Sequence, residues 1–267
     1  LGKKNAPLPE RLSIGPSGPI NSGALSQALL RVADSLLAGD GKFAAVFELL
    51  RAETPRISGR PPKSPVIPGA RPLLAEAIDA VLCLDHSYLV VQGPPGAGKT
   101  YTGSHLIVEL IRRGKRVGVA ANSHKVIHNL LQAVEQAAER EGVQFQGVKK
   151  SSRNDEETCY DTKYFSSESN AADVADSVAL VNVVAGTAWL FADAGMEGKL
   201  DYLFVDEAGQ VSLANVTAMG TSAHNIVLLG DQMQLGQPTQ AVHPGRSGDS
   251  VLDYLLDGHA TVPPDRG

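Results

Sequence analysis

The chain is short of several things, and each shortage closes off a class of protein. Only two cysteines, Cys83 and Cys159, occur in 267 residues. They lack metal-ligand spacing and are too few for a disulfide-stapled secreted scaffold. Free thiols in a reducing compartment are expected, hence a cytoplasmic location. Tryptophan occurs once, as Trp189, and aromatic residues make up 5% of the chain. Trp189 is expected in core packing rather than as a base-stacking platform. Positive charge is also scarce: 24 Lys and Arg against 29 Asp and Glu give a formal net charge of -5. The global field therefore does not favour a polyanion, and any nucleic-acid contact must come from a local patch. No apolar run approaches the ~20 residues that span a bilayer, so no membrane partner is expected. No apolar segment of a signal peptide follows Leu1-Gly2-Lys3-Lys4-Asn5. The chain starts without Met and stops at Pro263-Pro264-Asp265-Arg266-Gly267, which reads as a piece of a longer polypeptide.

What is present describes a globular α/β protein: 43% hydrophobic and 20% charged residues. Residues 1–23 are rich in Pro, Gly and Ser and show no period, as in a linker. Apolar residues at helical spacing (Leu25, Leu29, Val32, Leu36) predict a helix over 25–37, with Asn21 or Ser22 as cap. A second short helix is expected over 42–51. Proline density over 54–72 forbids helix and central strand there, so this is an extended connector. Helix resumes over 73–84. From there strand and helix alternate: strands at 88–92, 116–120, 178–184, 202–205 and 226–229, helices at 98–113 and 123–140. A further strand is possible over 143–148. Residues 149–176 are polar and mixed and read as an insertion or long surface loop. Short, wholly apolar strands separated by helices point to a parallel sheet covered on both faces.

Residues 93–100 read Gly-Pro-Pro-Gly-Ala-Gly-Lys-Thr, the G-x-x-x-x-G-K-[ST] pattern of a phosphate-binding loop. It lies between an expected strand and an expected helix, the context the motif requires. Glycines let successive backbone N–H groups turn inward around a phosphate, and the helix start adds donors and partial positive charge. Lys99 can reach the β- and γ-phosphates, and the Thr100 hydroxyl can hold Mg²⁺. The nucleotide-binding set is Gly93, Pro94, Pro95, Gly96, Ala97, Gly98, Lys99, Thr100 and Tyr101. The competing reading is a chance Gly/Pro turn.

Two later strand ends carry chemistry. Leu203-Phe204-Val205 runs into Asp206-Glu207. An Asp there helps hold Mg²⁺, and a Glu beside it can deprotonate the attacking water. The same pair could simply be a charged helix start. Ile226-Val227-Leu228-Leu229 runs into Gly230-Asp231-Gln232-Met233-Gln234, where Gln234 could sense a γ-phosphate, or sit in an ordinary polar turn. The catalytic candidates are thus Lys99, Asp206, Glu207 and Gln234, with Thr100 and Asp206 on the metal.

In this order the three elements resemble superfamily 1 helicases, and more closely the 1B branch. There Gly-Pro-Pro-Gly-x-Gly-Lys-Thr is motif I, the Asp-Glu-Ala type sequence is motif II, and Gly-Asp-x-x-Gln-Leu-x-Pro is motif III. Here the third carries one extra residue before Pro238. Residues 117–124 resemble motif Ia, and Gly186-Thr187-Ala188 resembles the Thr-containing element before motif II. The resemblance places both on the strand-binding side, making Asn122, Ser123, His124 and Thr187 nucleic-acid candidates. Capping and turn roles are open to the same residues. Lys149, Lys150 and Arg153 are the densest basic cluster, equally explained by a solvated loop. The wording around these motifs resembles a bacterial subgroup in which a RecB-like nuclease domain precedes the helicase. The resemblance covers roughly residues 70–260.

The resemblance implies a RecA-like domain, a P-loop NTPase, over 70–267, preceded by a small helical appendage and connector over 1–69. It implies Mg-ATP hydrolysis coupled to movement on a single nucleic-acid strand, DNA ahead of RNA, with a fused nuclease. The alternative is a nucleotide-dependent switch module that regulates a nuclease or partner without unwinding. Two departures stand out. Residues 70–78 contain no Gln where the family reads adenine, which leaves Gln92 or the backbone for that task. The chain also ends before motifs IV to VI, so a second RecA-like domain with its arginine fingers is expected elsewhere and turnover by this chain alone is expected to be poor.

Overall fold

The computed structural model describes residues 21–153, 155–231 and 243–263. Among them, seven parallel strands form one sheet in the order β1-β7-β6-β2-β5-β3-β4. The strands are β1 (Tyr88–Gln92), β2 (Val117–Ala120), β3 (Gly147–Lys150), β4 (Phe165–Glu168), β5 (Val183–Gly186), β6 (Leu200–Val205) and β7 (Ala223–Gly230). Alternate residues of each strand face opposite sides, and the two sides build separate cores. Ile226 and Leu228 of β7, with Leu203 and Val205 of β6, belong to one cluster. Val227 and Leu229, with Tyr202 and Phe204, belong to the other. Burial on both faces is why these strands read as unbroken apolar runs.

The second cluster is closed by α3 (Leu73–Leu82), α4 (Lys99–Arg112) and α5 (His124–Glu141). The first is closed by α1 (Gly23–Ala38), α2 (Ala44–Arg51), α7 (Ala188–Phe191), α8 (Leu213–Gly220) and α9 (Val251–Leu256). Helices α1 and α2 thus share the sheet's own core, through Leu25, Ala28, Val32, Val46 and Leu49. The α1 start has Asn21 Oδ1 accepting from the Gly23 N–H at 2.9 Å, while Ser22 makes no side-chain capping bond. Helix α5 begins at Ser123, whose hydroxyl accepts from the Val126 N–H at 3.3 Å, and ends at Gly142 in the left-handed region.

Several expectations need correction. Residues 178–184 are not one strand: Val178–Leu180 is a short 3-10 turn and β5 begins only at Val183. Val178 is buried but Leu180 is 84% exposed, so the apolar run crosses from core to surface. The strand near 143–148 starts later, at Gly147. Within 149–176, β4 adds to β3 as an edge strand and α6 (Ala171–Ser177) follows it. Aromatic packing explains this: Phe145 stacks on Tyr164 at 4.6 Å between centroids and meets Phe165 edge-on at 5.5 Å. Those two aromatics anchor a segment whose average composition is polar. Trp189 is not core: it is 39% exposed, and its indole N–H donates to the Asn21 carbonyl at 2.7 Å.

Gly118 at the centre of β2 shows how tightly the sheet is covered. A Cβ there would lie 2.7 Å from Leu200 Cδ1 and 2.9 Å from both Leu203 Cδ1 and Phe191 Cε1. A Gly118→Ala variant is expected to lose about 1–3 kcal/mol through overpacking. Thermal unfolding followed by circular dichroism should show a melting point lower by several degrees, and an unchanged one would contradict this packing.

Candidate functional site

All strands are parallel, so their C-terminal ends share one edge. Along that edge the sheet order sets a sequence of loops. The phosphate loop follows β1, Asp231 follows β7, and Asp206-Glu207 follow β6. Asn122-Ser123-His124 follow β2, Thr187 follows β5, and Lys149-Lys150 end β3. The motifs that the sequence scatters over more than 130 residues are thereby lined up. Gln234 lies outside the described residues.

At one end, Gly96 and Gly98 take φ values of 80° and 84°, a region open to glycine at little cost. Gly98 caps α4, its carbonyl accepting from the Thr102 N–H at 2.8 Å. Gly93 N–H donates to the Gly230 carbonyl at 3.2 Å, tying the loop to β7. The Lys99 ammonium donates to the Gly93 carbonyl at 2.6 Å and the Pro94 carbonyl at 3.0 Å. It is folded over the loop that would hold a phosphate. Thr100 and Tyr101 are exposed beside it.

Asp206 is 6% exposed. Burial pushes its carboxyl up to about 6, against the Glu207 amide hydrogen bond and the Lys99 charge, which pull it down. The Glu207 N–H donates to Asp206 Oδ1 at 2.9 Å. Glu207 itself has φ 52° and ψ 43°, the left-handed region that costs an L-residue roughly 1–2 kcal/mol. Its Oε2 is buried with no hydrogen-bond partner. A strained backbone holding an unsatisfied carboxylate oxygen is expected at a functional site rather than in a structural turn.

These residues fit a magnesium-bound nucleoside triphosphate. The loop supplies backbone donors and a cation for phosphate, and Glu207 places an unpartnered carboxylate oxygen next to the buried Asp206. Among the described residues no group of three or more His, Cys, Asp or Glu could hold a metal. A divalent ion here would rest on Thr100, Asp206, phosphate oxygens and water, the usual sparse protein share for Mg²⁺. Gln92 is committed elsewhere. Its Nε2 donates to the Ala260 carbonyl at 2.9 Å and its Oε1 accepts from the Val262 N–H at 3.1 Å. A cleft of about 810 Å³ lined by Glu48, Arg56, Arg60 and Asp85 opens beside the segment that enters β1, at the opposite strand ends.

The other half of the edge is polar. Asn122 Nδ2 donates to the Gln210 carbonyl at 2.6 Å. This bond ties the loop after β2 to the 3-10 turn after Glu207, and no spacing rule in the sequence announces it. Thr187 precedes α7 without a side-chain capping bond. Lys149 is fully buried, which overturns its reading as part of a solvated basic cluster. Its ammonium donates to the Thr158 carbonyl and to His124 Nδ1. Lys150 donates to the Ser151 carbonyl at 2.6 Å, and only Arg153 of the three is exposed.

The Lys149 contact fixes the state of His124. An Nδ1 that accepts from an ammonium carries no proton, so the ring is neutral and its N–H is at Nε2. Burial first, then the Lys149 charge, pushes His124 down to about 4. A base depressed on folding contributes stability that is complete above its unfolded value near 6.5 and is lost as pH falls towards 4. The His124 imidazole is expected to titrate near pH 4 by NMR, and Lys149→Met to raise that midpoint. A midpoint near 6.5 in the parent would refute the contact.

A family profile described as "AAA domain" matches residues 75–254, more than half of the chain. The chain is 28% identical over 179 residues to the DNA replication ATP-dependent helicase/nuclease JHS1 of Arabidopsis thaliana. That match takes in 64% of this chain and 13% of the relative. It is 27% identical over 166 residues to the DNA replication ATP-dependent helicase/nuclease DNA2 of Saccharomyces cerevisiae, over 60% of this chain and 10% of that relative. The chain thus spans a small part of the length of these curated relatives. Among solved structures, an arterivirus nonstructural protein 10 (helicase) with DNA is 19% identical at a TM-score of 0.39. The match covers 60% of this chain and 32% of that one.

Proposed function

The chain belongs to the AAA domain family, and from that premise we propose that it is the ATP-binding motor half of a helicase or translocase. It would bind Mg-ATP and couple hydrolysis to movement on a single nucleic-acid strand, DNA ahead of RNA. It would act with a second motor domain and with a nuclease, the latter because both relatives are named helicase/nuclease.

The observation that carries the reading is Glu207: an orphaned, buried carboxylate oxygen on strained backbone, hydrogen-bonded to the buried Asp206 on the edge that bears the phosphate loop. In this reading Lys99 leaves the Gly93 and Pro94 carbonyls and takes a phosphate oxygen. The backbone N–H groups of residues 96–100 cradle the phosphates. Thr100 and Asp206 would hold a divalent metal, which would supply positive charge against the negative charge developing on the phosphates. Glu207 accepts the proton of the attacking water. A change at the 208–210 turn would pull on Asn122 through the Gln210 carbonyl and so reach Ser123 and His124. His124 would offer a neutral Nε2–H to a strand phosphate, and Thr187 a hydroxyl from the neighbouring loop.

The test is ATP turnover by a polypeptide that contains both motor halves, with and without single-stranded DNA or RNA. Stimulation by a strand is expected. Turnover indifferent to both polymers would sink the translocase reading in favour of a nucleotide-dependent switch.

A further inference from the structure

In the reading above the phosphates of a bound nucleotide sit at the first turn of α4, so side chains that flank that turn are within reach of its base. A base can be read by hydrogen bonds to its edge or held by stacking on its face. Among the described residues, three hydrogen-bonding side chains near this end of the sheet are in use. The Glu76 carboxylate, 1% exposed, accepts from the backbone N–H groups of Gly69, Ala70 and Arg71 at 2.8, 2.6 and 2.8 Å. Arg71 pairs with Asp79. Both ends of the Gln92 amide are taken by the chain at Ala260 and Val262.

Tyr101 offers the other mode. It follows Thr100 directly, is 53% exposed, and packs against the His105 ring at 4.1 Å between centroids. His105 Nδ1 bonds the Tyr101 carbonyl at 2.8 Å, which fixes the imidazole in place as a backing for the phenol ring. Resting on the nucleotide-motor reading above, we propose that the base is held by stacking on Tyr101 without being read at its edge. The site then takes purine nucleoside triphosphates and does not separate adenine from guanine. Stacking tolerates both because each base presents the same kind of π-face.

Displacement of a fluorescent N-methylanthraniloyl nucleotide in the presence of Mg²⁺ tests this. ATP and GTP are expected to compete within about threefold of each other. Tyr101→Ala should weaken both by about 5- to 150-fold, the range of one base–aromatic stack, and Tyr101→Phe should restore them. Inorganic tripolyphosphate, which has no base, should bind the parent and Tyr101→Ala equally. An ATP preference over GTP of tenfold or more would overturn the proposal, as would nucleotide binding untouched by Tyr101→Ala. Failure of tripolyphosphate to bind the parent would instead overturn the phosphate-loop reading beneath it.

Discussion

Replacing Lys99 with alanine is expected to weaken Mg-ATP binding by on the order of 10²-fold. The ammonium at present makes two hydrogen bonds, to the Gly93 and Pro94 carbonyls at 2.6 and 3.0 Å. In the proposed bound state it would exchange these neutral acceptors for phosphate oxygens. Hydrogen bonds between ions contribute about 1.5–3 kcal/mol each, against roughly 1 kcal/mol for bonds to neutral groups. Two exchanged bonds, less the loop contacts given up, leave roughly 1–4 kcal/mol, a range that brackets 10²-fold at tenfold per ~1.4 kcal/mol. The fold should tolerate the change, since Lys99 belongs to neither hydrophobic cluster. Isothermal titration beside a thermal melt separates the two effects. A Lys99→Ala protein that binds Mg-ATP within threefold of the parent would defeat the site assignment.

Glu207→Gln is expected to lower turnover by about 10²- to 10⁴-fold, the usual contribution of a general base, with nucleotide affinity retained. The substitution keeps the shape, the left-handed backbone and the N–H bond to Asp206 Oδ1, and it removes the ability to take a proton. The buried Oε2 that lacks a partner becomes part of an amide, so the electrostatic strain of the pair with Asp206 falls rather than rises. Phosphate release measured in the longer polypeptide, beside equilibrium nucleotide binding, reads the two quantities apart. A variant that turns over within tenfold of the parent would remove Glu207 from the base role. Asp206 would not substitute for it: its carboxyl is buried and accepts from the Glu207 backbone N–H.

Much of this was legible in the residues. The phosphate loop announces itself because a tight phosphate cradle can be built in few ways, and each way leaves glycines at fixed offsets. The strands at 88–92, 202–205 and 226–229 were legible because burial on both faces removes polar residues from them. The segment 149–176 was not legible, because its fold depends on Tyr164 and Phe165 meeting Phe145, about twenty residues back. Lys149 misled for a related reason. A lysine in a polar stretch reads as solvated, and only the approach of His124 and the Thr158 carbonyl makes its burial tolerable.

By itself, then, the sequence determined the chemistry that local backbone geometry imposes: Gly96 and Gly98 where φ must be positive, Lys99 and Thr100 behind them, Asp206 and Glu207 at a strand end. The tertiary structure decided which of these lie together. It brought the 93–100 and 206–207 loops to one edge through β7, tied Asn122 to Gln210, withdrew Gln92 and Glu76 into the chain's own hydrogen bonds, and left Tyr101 exposed beside the cradle. The reason is that a hydrogen bond between distant residues depends on register and strand order, and neither is encoded at the position of either partner.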